Sequence, residues 1–445
     1  MTYDDIAEFT LGHTLIPDSA LDFTATLLID TLGVTAGAAG LDVGHIARNH
    51  ALRFMGASSE ADTATLLFDG RRASIPGAAF AAATQTDNLD AHDGFNPVKG
   101  HIGCAVVPAL CVLGEQMPDL SARAALEAMT LSYEIAGRAG LALHGSVSDY
   151  HTSGAWNALG VVALGGRLRG MGATHLREAF GIAEYHGPRS QMMREIANPT
   201  MLHDGSGMGA FTGLMAVLLA EDGFDGAPAI TIEAAEVAHH WQDLGARWTV
   251  EENYIKPYPV CRWAHAAIDA LGLLIDTHDL RADTVARINV NTFKEAAALF
   301  PTMPATTSQA QYSLQFALGA RLVHGRVGPD EVAGDALADT RIATVLNKIT
   351  VTEEPRHSKR FPINRWSDVT VHTTDGRVLA SGDVEAKGGQ EVPMSLTEIE
   401  TKFHTMAAAL SEARRSKIWA MRDRMMDPDT PFSDLLALIH PSTDE

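Results

Sequence analysis

The chain changes its hydrophobic rhythm once. From Ile6 to about Asp269 apolar residues recur at helical spacing, Ala, Leu and Gly dominate, and β-branched alternation is nearly absent. Pro17 to Gly33 reads as a helix, with Asp18 or Ser19 placed to cap it and Gly33 to end it. Further helical stretches fall at 43–55, 78–87, 105–115, 121–143 (opening on a Ser121 cap), 154–165, 174–185 and 207–220. Ala64 to Ile75 is the exception, a small hairpin turning at Asp69-Gly70.

Beyond a helix at 264–278 the period shortens to two. Val285 to Thr292 and Lys348 to Glu354 alternate as strands do, and Asp368 to Gly382 reads as a hairpin turning at Asp375-Gly376, with a helix at 309–322 between them. Val392-Pro393 marks a boundary, after which 396–415 and 431–439 are helical again. The pattern predicts a mainly α protein with an α+β second domain. A discontinuous all-helical domain takes residues 1–269 and 393–445, and 270–392 forms an inserted α+β lid. No internal repeat is visible, and the unequal helix pairs argue against a solenoid.

At 445 residues the chain is too long for one ordinary core, which agrees with two domains. Lys and Arg number 34 against 55 Asp and Glu, a formal charge of −21 that repels nucleic acid and anionic membrane alike. In such a chain any cluster of Arg, Lys and His points towards an anion site. Cys104, Cys111 and Cys261 have neither disulfide nor zinc-knuckle spacing. An acidic N-terminus and the lack of a long apolar run lead to the expectation of a soluble, cytoplasmic protein.

Four polar stretches carry the candidate chemistry. The first, Asp87 to Gly103, holds three aspartates (Asp90 and Asp93 among them), His92, His101 and Lys99, with Pro97 breaking any helix through it. A loop this polar between two apolar helices adds nothing to a core, although a solvated surface loop has the same composition. His101 stands at a helix entry, where it can face an anion beside the free N–H groups of the first turn, or simply cap. The second stretch, Asp149 to Gly160, places His151 and the Thr152 and Ser153 hydroxyls before a small-residue helix. The third runs from Tyr185 to Gly209, and there Arg189, Arg194 and His203 can grip carboxylates, the arginines through a bidentate fork. In the fourth, Lys256 to His265, two prolines stiffen the chain and set Lys256 and Arg262 at the domain junction, where ligand clefts tend to form. Cys261 has no base beside it in sequence and is an unsupported nucleophile.

Taken in order, several of these segments resemble the MmgE/PrpD family. They are Leu89-Asp90 through Gly100-His101-Ile102-Gly103, Ser132 to Arg138, His151 ahead of Gly154-Ala155, Asp204 to Gly207, Ala220 to Gly226, Lys256 to Cys261 with His265 to Asp269, and Ala310 to Ala317. The resemblance covers nearly the whole chain. It implies a helical domain completed by the C-terminal helices, an α+β lid, a homodimer formed through the helical domains, and an active site between the domains that works with no metal and no organic cofactor. By resemblance the catalytic positions are Asp90 or Asp93, His101, His151 and Lys256. The chain departs from the family at Thr200, where relatives carry a lysine, at Cys261, where the decarboxylases place a histidine, and at Phe316, where relatives have a tyrosine and Tyr312 lies one helical turn earlier.

The expectation is a cofactor-independent lyase that removes a proton α to a carboxylate of a small di- or tricarboxylate. Loss of a β-hydroxyl would make it a dehydratase, and reprotonation on the other face an epimerase. His101 and His151 would serve as acid and base, and Asp93 would orient a histidine. Lys256, Lys99, Arg189, Arg194, His203, Arg262 and Tyr312 would bind the substrate, the cations lowering the cost of carbanion character. Two rivals come from other classes. One is a metal-dependent hydrolase using His92, Asp93, Asp90 and His101. The other is a paralogue that binds without turning over.

Overall fold

The computed structural model describes residues 1–440, and two separate apolar cores organise it. The larger core is helical. It takes side chains from Ile6 to Ile255 and closes with Ile399, Phe403, Ile418, Leu435 and Ile439 from the C-terminal end. The helices Ala122–Ser146, Gly154–Leu168, Ser206–Glu221 and Ile75–Asp87 pack in succession. Ser121 caps the first of these, its hydroxyl accepting Ala124 N–H at 3.2 Å, as the sequence predicts.

Two helix ends differ from the sequence pattern. The helix expected to stop at Gly33 continues over Asp18–Ala38. Gly33 is there for contact rather than termination: a Cβ on it would stand 2.5 Å from the Phe403 ring of a C-terminal helix. The single helix expected over 396–415 is two, Leu396–Met406 and Glu412–Arg424, because Ser411 starts the second with a cap to Arg414 N.

The smaller core gathers Val260 to Val371 around one sheet. Strand Val285–Thr292 lies in the middle, parallel to Ile349–Glu353 and antiparallel to Trp366–Thr373. Trp366–Thr373 pairs in turn with Val378–Ala380, the hairpin predicted at Asp375-Gly376. Its burial alternates at every residue, so period two in the sequence is period two in the fold. Helix His265–His278 covers the sheet, and Leu314–His324 packs against that helix. The hairpin expected near Asp69-Gly70 is present as Thr63–Thr65 against Arg72–Ser74. Among the described residues no single helix is long and apolar enough to cross a membrane.

Candidate active site

The loop after Ile75–Asp87 is held by three neighbours. Gly94–Phe95 pairs antiparallel with Asn253–Tyr254, which brings the loop beside Lys256. Gly94 allows this approach, since a Cβ there would run into the Tyr254 hydroxyl and the His101 ring. Gln311 donates to Asn88 O at 2.8 Å from the second core, and Lys402 of a C-terminal helix donates to Ala91 O at 2.6 Å and to Asp30 Oδ2 at 2.5 Å. Asp90 and Lys99 both adopt left-handed backbone, with φ of 55° and 54°. Neither is glycine, and this kind of strain persists only where the surroundings fix it.

His101 is buried and its orientation is set from both sides. Its Nδ1 lies 2.7 Å from Asp93 O. A carbonyl can only accept, so Nδ1 carries the proton and Nε2 is left with a free lone pair. The backbone N–H of His101 donates to Ser153 Oγ at 3.0 Å, and Asn157 Nδ2 donates to His101 O at 3.2 Å. Burial, the Lys256 charge and His92 hold the imidazole well below its ordinary pKa, so it is neutral and available as a base. Asp93 does orient a histidine, but through its main-chain carbonyl. Its carboxylate turns the other way and accepts from Tyr133 OH at 3.2 Å.

Lys256 is fully buried. Its Nζ donates to Asp90 O at 3.0 Å and forms an ion pair with the Asp90 carboxylate. Burial works against the ammonium, but Asp90, Tyr254 and Cys261 outweigh it and raise the pKa, keeping the lysine charged. Removing one partner of such a pair strands the other, at about 3–5 kcal/mol.

These groups face a narrow cleft between the two cores. Asp90, Lys99, His101, Asp204 and Lys256 line it together with Cys261, Arg262, Tyr312 and Arg365, and with the Tyr150 and Tyr254 rings. Lys99 stands over the Tyr150 ring at 4.7 Å. Arg262 lies 4.5 Å above the Tyr254 ring and donates to Ala386 O at 3.0 Å and to Lys387 O, so it ties the cleft wall to the segment after the sheet. Cys261 is no nucleophile here, because burial first and Asp90 second push its thiol up to about 12.

The remaining expected residues are elsewhere. His203 and Arg194 line a second, more open cavity with Thr152 and Thr200. Arg194 is exposed and bonds Ser190 Oγ at 3.2 Å, and Arg189 is also exposed. The segment carrying His151 passes between the cavities, with Tyr150 in the cleft and Thr152 in its neighbour. His151 itself lines neither; its N–H meets His144 Nε2 at 3.2 Å and its ring stacks on His144 at 6.5 Å. The ligand set expected for a hydrolase does not converge among the described residues. Asp90 is held by Lys256 and Asp93 by Tyr133, while His92 turns its Nε2 towards Asp87, 3.5 Å away. Asp87, His92 and Cys104 do approach one another behind His101, within 4.8 Å, but Asp87 and Cys104 are already hydrogen-bonded to Ser206.

Sequence reasoning missed two charged residues of the cleft. Arg365 is buried in the turn before Trp366–Thr373, donates to Ile363 O at 3.3 Å and to Pro362 O, and is pushed down to about 10 by burial. An arginine beside a tryptophan at a strand start in an acidic chain was the available signal. Asp204 appeared in the sequence only as part of a glycine-rich segment of the resemblance, with no role assigned. It accepts from Ser153 Oγ at 2.5 Å and stands 3.8 Å from His101 Nε2.

A large helical part and a smaller sheet-containing part, with a cleft between their cores that holds a fixed neutral histidine among cations, form the kind of setting in which small-molecule sites are found. Residues 4–241 match the MmgE/PrpD N-terminal domain and residues 258–426 the MmgE/PrpD C-terminal domain, so the chain belongs to the MmgE/PrpD family. It is similar to cis-aconitate decarboxylase of Homo sapiens, 22% identical over 423 residues that span 90% of this chain and 85% of the relative. It is also similar to cis-aconitate decarboxylase of Mus musculus, 21% identical over 423 residues, covering 89% of this chain and 84% of the relative. The family membership and these relatives make it a lyase-type enzyme of the dehydratase and decarboxylase kind.

Proposed function

We propose that the protein abstracts a proton α to a carboxylate of a small di- or tricarboxylate and expels a β-hydroxyl, a dehydration of the 2-methylcitrate dehydratase type that draws on no metal or organic cofactor. The observation that carries this reading is His101. Its Nδ1–H is fixed on Asp93 O at 2.7 Å and its unprotonated Nε2 opens on a cleft lined by Lys99, Lys256, Arg262 and Arg365. Those cations neutralise the substrate carboxylates, and the one beside the reacting carbon lowers the cost of negative charge that develops as the proton leaves. The protein works on this reading as a cytoplasmic homodimer with a small-molecule substrate.

Decarboxylation of cis-aconitate, the reaction named for both relatives, is the second reading, favoured by the full-length similarity. Against it stands Cys261, which occupies the position where the decarboxylases carry a histidine. A thiol pushed up to about 12 is a poor proton donor to a carbanion.

The test is proton NMR of the purified, EDTA-treated protein in D₂O with 2-methylcitrate, citrate, cis-aconitate, iminodisuccinate and tartrate. Deuterium entering a carbon α to a carboxylate, with an unsaturated product, is the expected result. Deuterium entry with inversion but no loss of water identifies an epimerase. Carbon dioxide release from cis-aconitate identifies a decarboxylase. No exchange with any of the five, and turnover appearing only with an added divalent metal, overturns the proposal.

A further inference from the structure

If His101 takes the α-proton, something else has to protonate the departing hydroxyl. We propose that this acid is the Asp204 carboxyl, a role that rests on the dehydration reading above. Asp204 is 4% exposed, lines the cleft, and sits between the left-handed His203 and Gly205 just ahead of the helix Ser206–Glu221. One hydroxyl organises it together with the base. Ser153 Oγ donates to Asp204 Oδ1 at 2.5 Å and accepts from the His101 backbone N–H at 3.0 Å. Asp204 Oδ1 is thereby occupied. Oδ2 faces His101 Nε2 at 3.8 Å, too far for a hydrogen bond, so both atoms are free to act on a substrate in the cleft.

The other candidates in the cleft are less suited. Burial raises the Asp90 carboxyl as well, but Asp90 is engaged by the Lys256 ammonium, which favours its charged form and occupies one of its oxygens. Tyr254 and Tyr312 keep their protons, but burial raises both phenols above their ordinary value, which makes them weak acids. Asp204 is different: burial and the neighbouring Asp87 push its carboxyl up to about 8, so it holds a proton at neutral pH and releases it readily. A neutral carboxylic acid is also compatible with an anionic substrate, and a carboxyl at this point of the cleft selects a hydroxyl rather than another carboxylate.

The step balances. The C–H electron pair becomes the new C=C bond as the proton passes to His101 Nε2. The C–O bond breaks, and its oxygen leaves as water with the Asp204 proton. Imidazolium and carboxylate then face each other 3.8 Å apart, and return of the proton from His101 to Asp204 restores the starting state. No oxidant, reductant or further reactant is consumed.

The experiment compares the hydroxy acid that the protein dehydrates among 2-methylcitrate, citrate and tartrate with its analogue bearing fluorine in place of that hydroxyl, which leaves as fluoride without prior protonation. Asp204→Asn keeps the shape and the contact to Ser153 but has no acidic proton. It is expected to dehydrate the hydroxy acid at least ~10²-fold more slowly while eliminating fluoride at a rate close to that of the unaltered protein. His101→Ala is expected to lose both reactions. Equal loss of both by folded Asp204→Asn, or loss of neither, overturns the assignment. So does the same selective defect in His151→Ala with Asp204→Asn unaffected, which would name His151 as the acid. If Asp204→Asn does not fold, Asp204→Ala is assayed with added formate or acetate: restored dehydration supports the proposal and its absence overturns it. Failure of the unaltered protein to exchange or eliminate with any probe is a separate result, and it removes the dehydration reading itself.

Discussion

His101, Asp204 and Lys256 make the cleft a place where charge is placed rather than merely present. The Lys256–Asp90 pair is wholly buried, so its two halves stand or fall together. Lys256→Met is expected to lower stability by about 3–5 kcal/mol and to abolish turnover, because it leaves Asp90 charged and unpaired. Adding Asp90→Asn in the same chain should recover much of the stability and none of the activity. A denaturant titration of the three variants checks this, and equal stability of the single and double variants would contradict it.

The same residues give a pH dependence with a definite sign. Asp204 is raised from 3.8 to about 8, so between those values the folded protein holds a proton that the unfolded chain has released. Its contribution to stability is complete below about pH 4 and is lost as pH rises through 8. The groups that act on it are Asp87, Ser153, Asp90 and Lys256, with His101 facing it. Asp87 is raised in the same direction by burial. Above about pH 7, where the buried neutral histidines no longer contribute a slope, melting temperature is therefore expected to fall towards pH 9, less steeply in Asp204→Asn. The kcat/KM of dehydration should decline above about pH 8 as the acid ionises, while neutral His101 imposes no fall across the neutral range. A profile that instead rises through pH 8 would contradict this.

At the scale of elements, what the sequence disclosed and what it hid separate by period. Strand Trp366–Thr373 buries alternate residues throughout and Val285–Thr292 does so from Ile288, after an irregularity between Val285 and Arg287, and the alternation was visible in the chain. Helix ends were harder. Gly33 has the composition of a stop signal but lies inside a helix, because its use is a contact with Phe403, some 370 residues away, and no local rule carries that. The helix expected over 309–322 is likewise divided, Thr307–Gln311 and Leu314–His324, by a Ser313 cap within it. The pairing of Gly94–Phe95 with Asn253–Tyr254 was out of reach, since two residues have no period. That short ladder matters more to the site than the larger sheet, because it holds the Asp90 loop against Lys256. Gly94→Ala is expected to displace Tyr254, costing about 1–3 kcal/mol, and to reduce turnover. Unchanged melting and kinetics would show that the ladder tolerates a Cβ.

For the candidate residues the same logic holds. Asp90, Lys99, His101, Lys256 and Arg262 were found by their chemistry and Tyr312 through the resemblance, and all six meet in one cleft. Arg189, Arg194 and His203 were chosen on the same grounds and do not reach it, because the side on which a residue faces in an irregular segment is set by tertiary contacts. Asp204 was passed over for the opposite reason. In a chain of net charge −21 one more aspartate stands out only when its neighbours are known.

For the whole molecule, the C-terminal helices are part of the site as well as of the fold. Phe403 fills the space over Gly33, and Lys402, one residue earlier, ties Asp30 to the Ala91 carbonyl of the active loop. Phe403→Ala is expected to cost about 3–5 kcal/mol and to lower turnover along with stability, since the loop loses its rear support. Full activity in a destabilised variant would separate the two. Tyr185, Met201, Leu202 and Met208 are large, apolar and exposed on the helical part, which is where the proposed dimer would be joined. Sedimentation should give twice the mass of the 47.5 kDa chain.

Transfer of the α-proton to His101 is the step from which the rest of the proposed chemistry follows. The direct measurement is deuterium incorporation from D₂O into the substrate's α-carbon, followed by proton NMR for the unaltered protein and His101→Ala side by side. Incorporation by the first and its loss, by about 10²-fold or more, in a folded His101→Ala is the predicted result. Incorporation at the same rate in both proteins would contradict it.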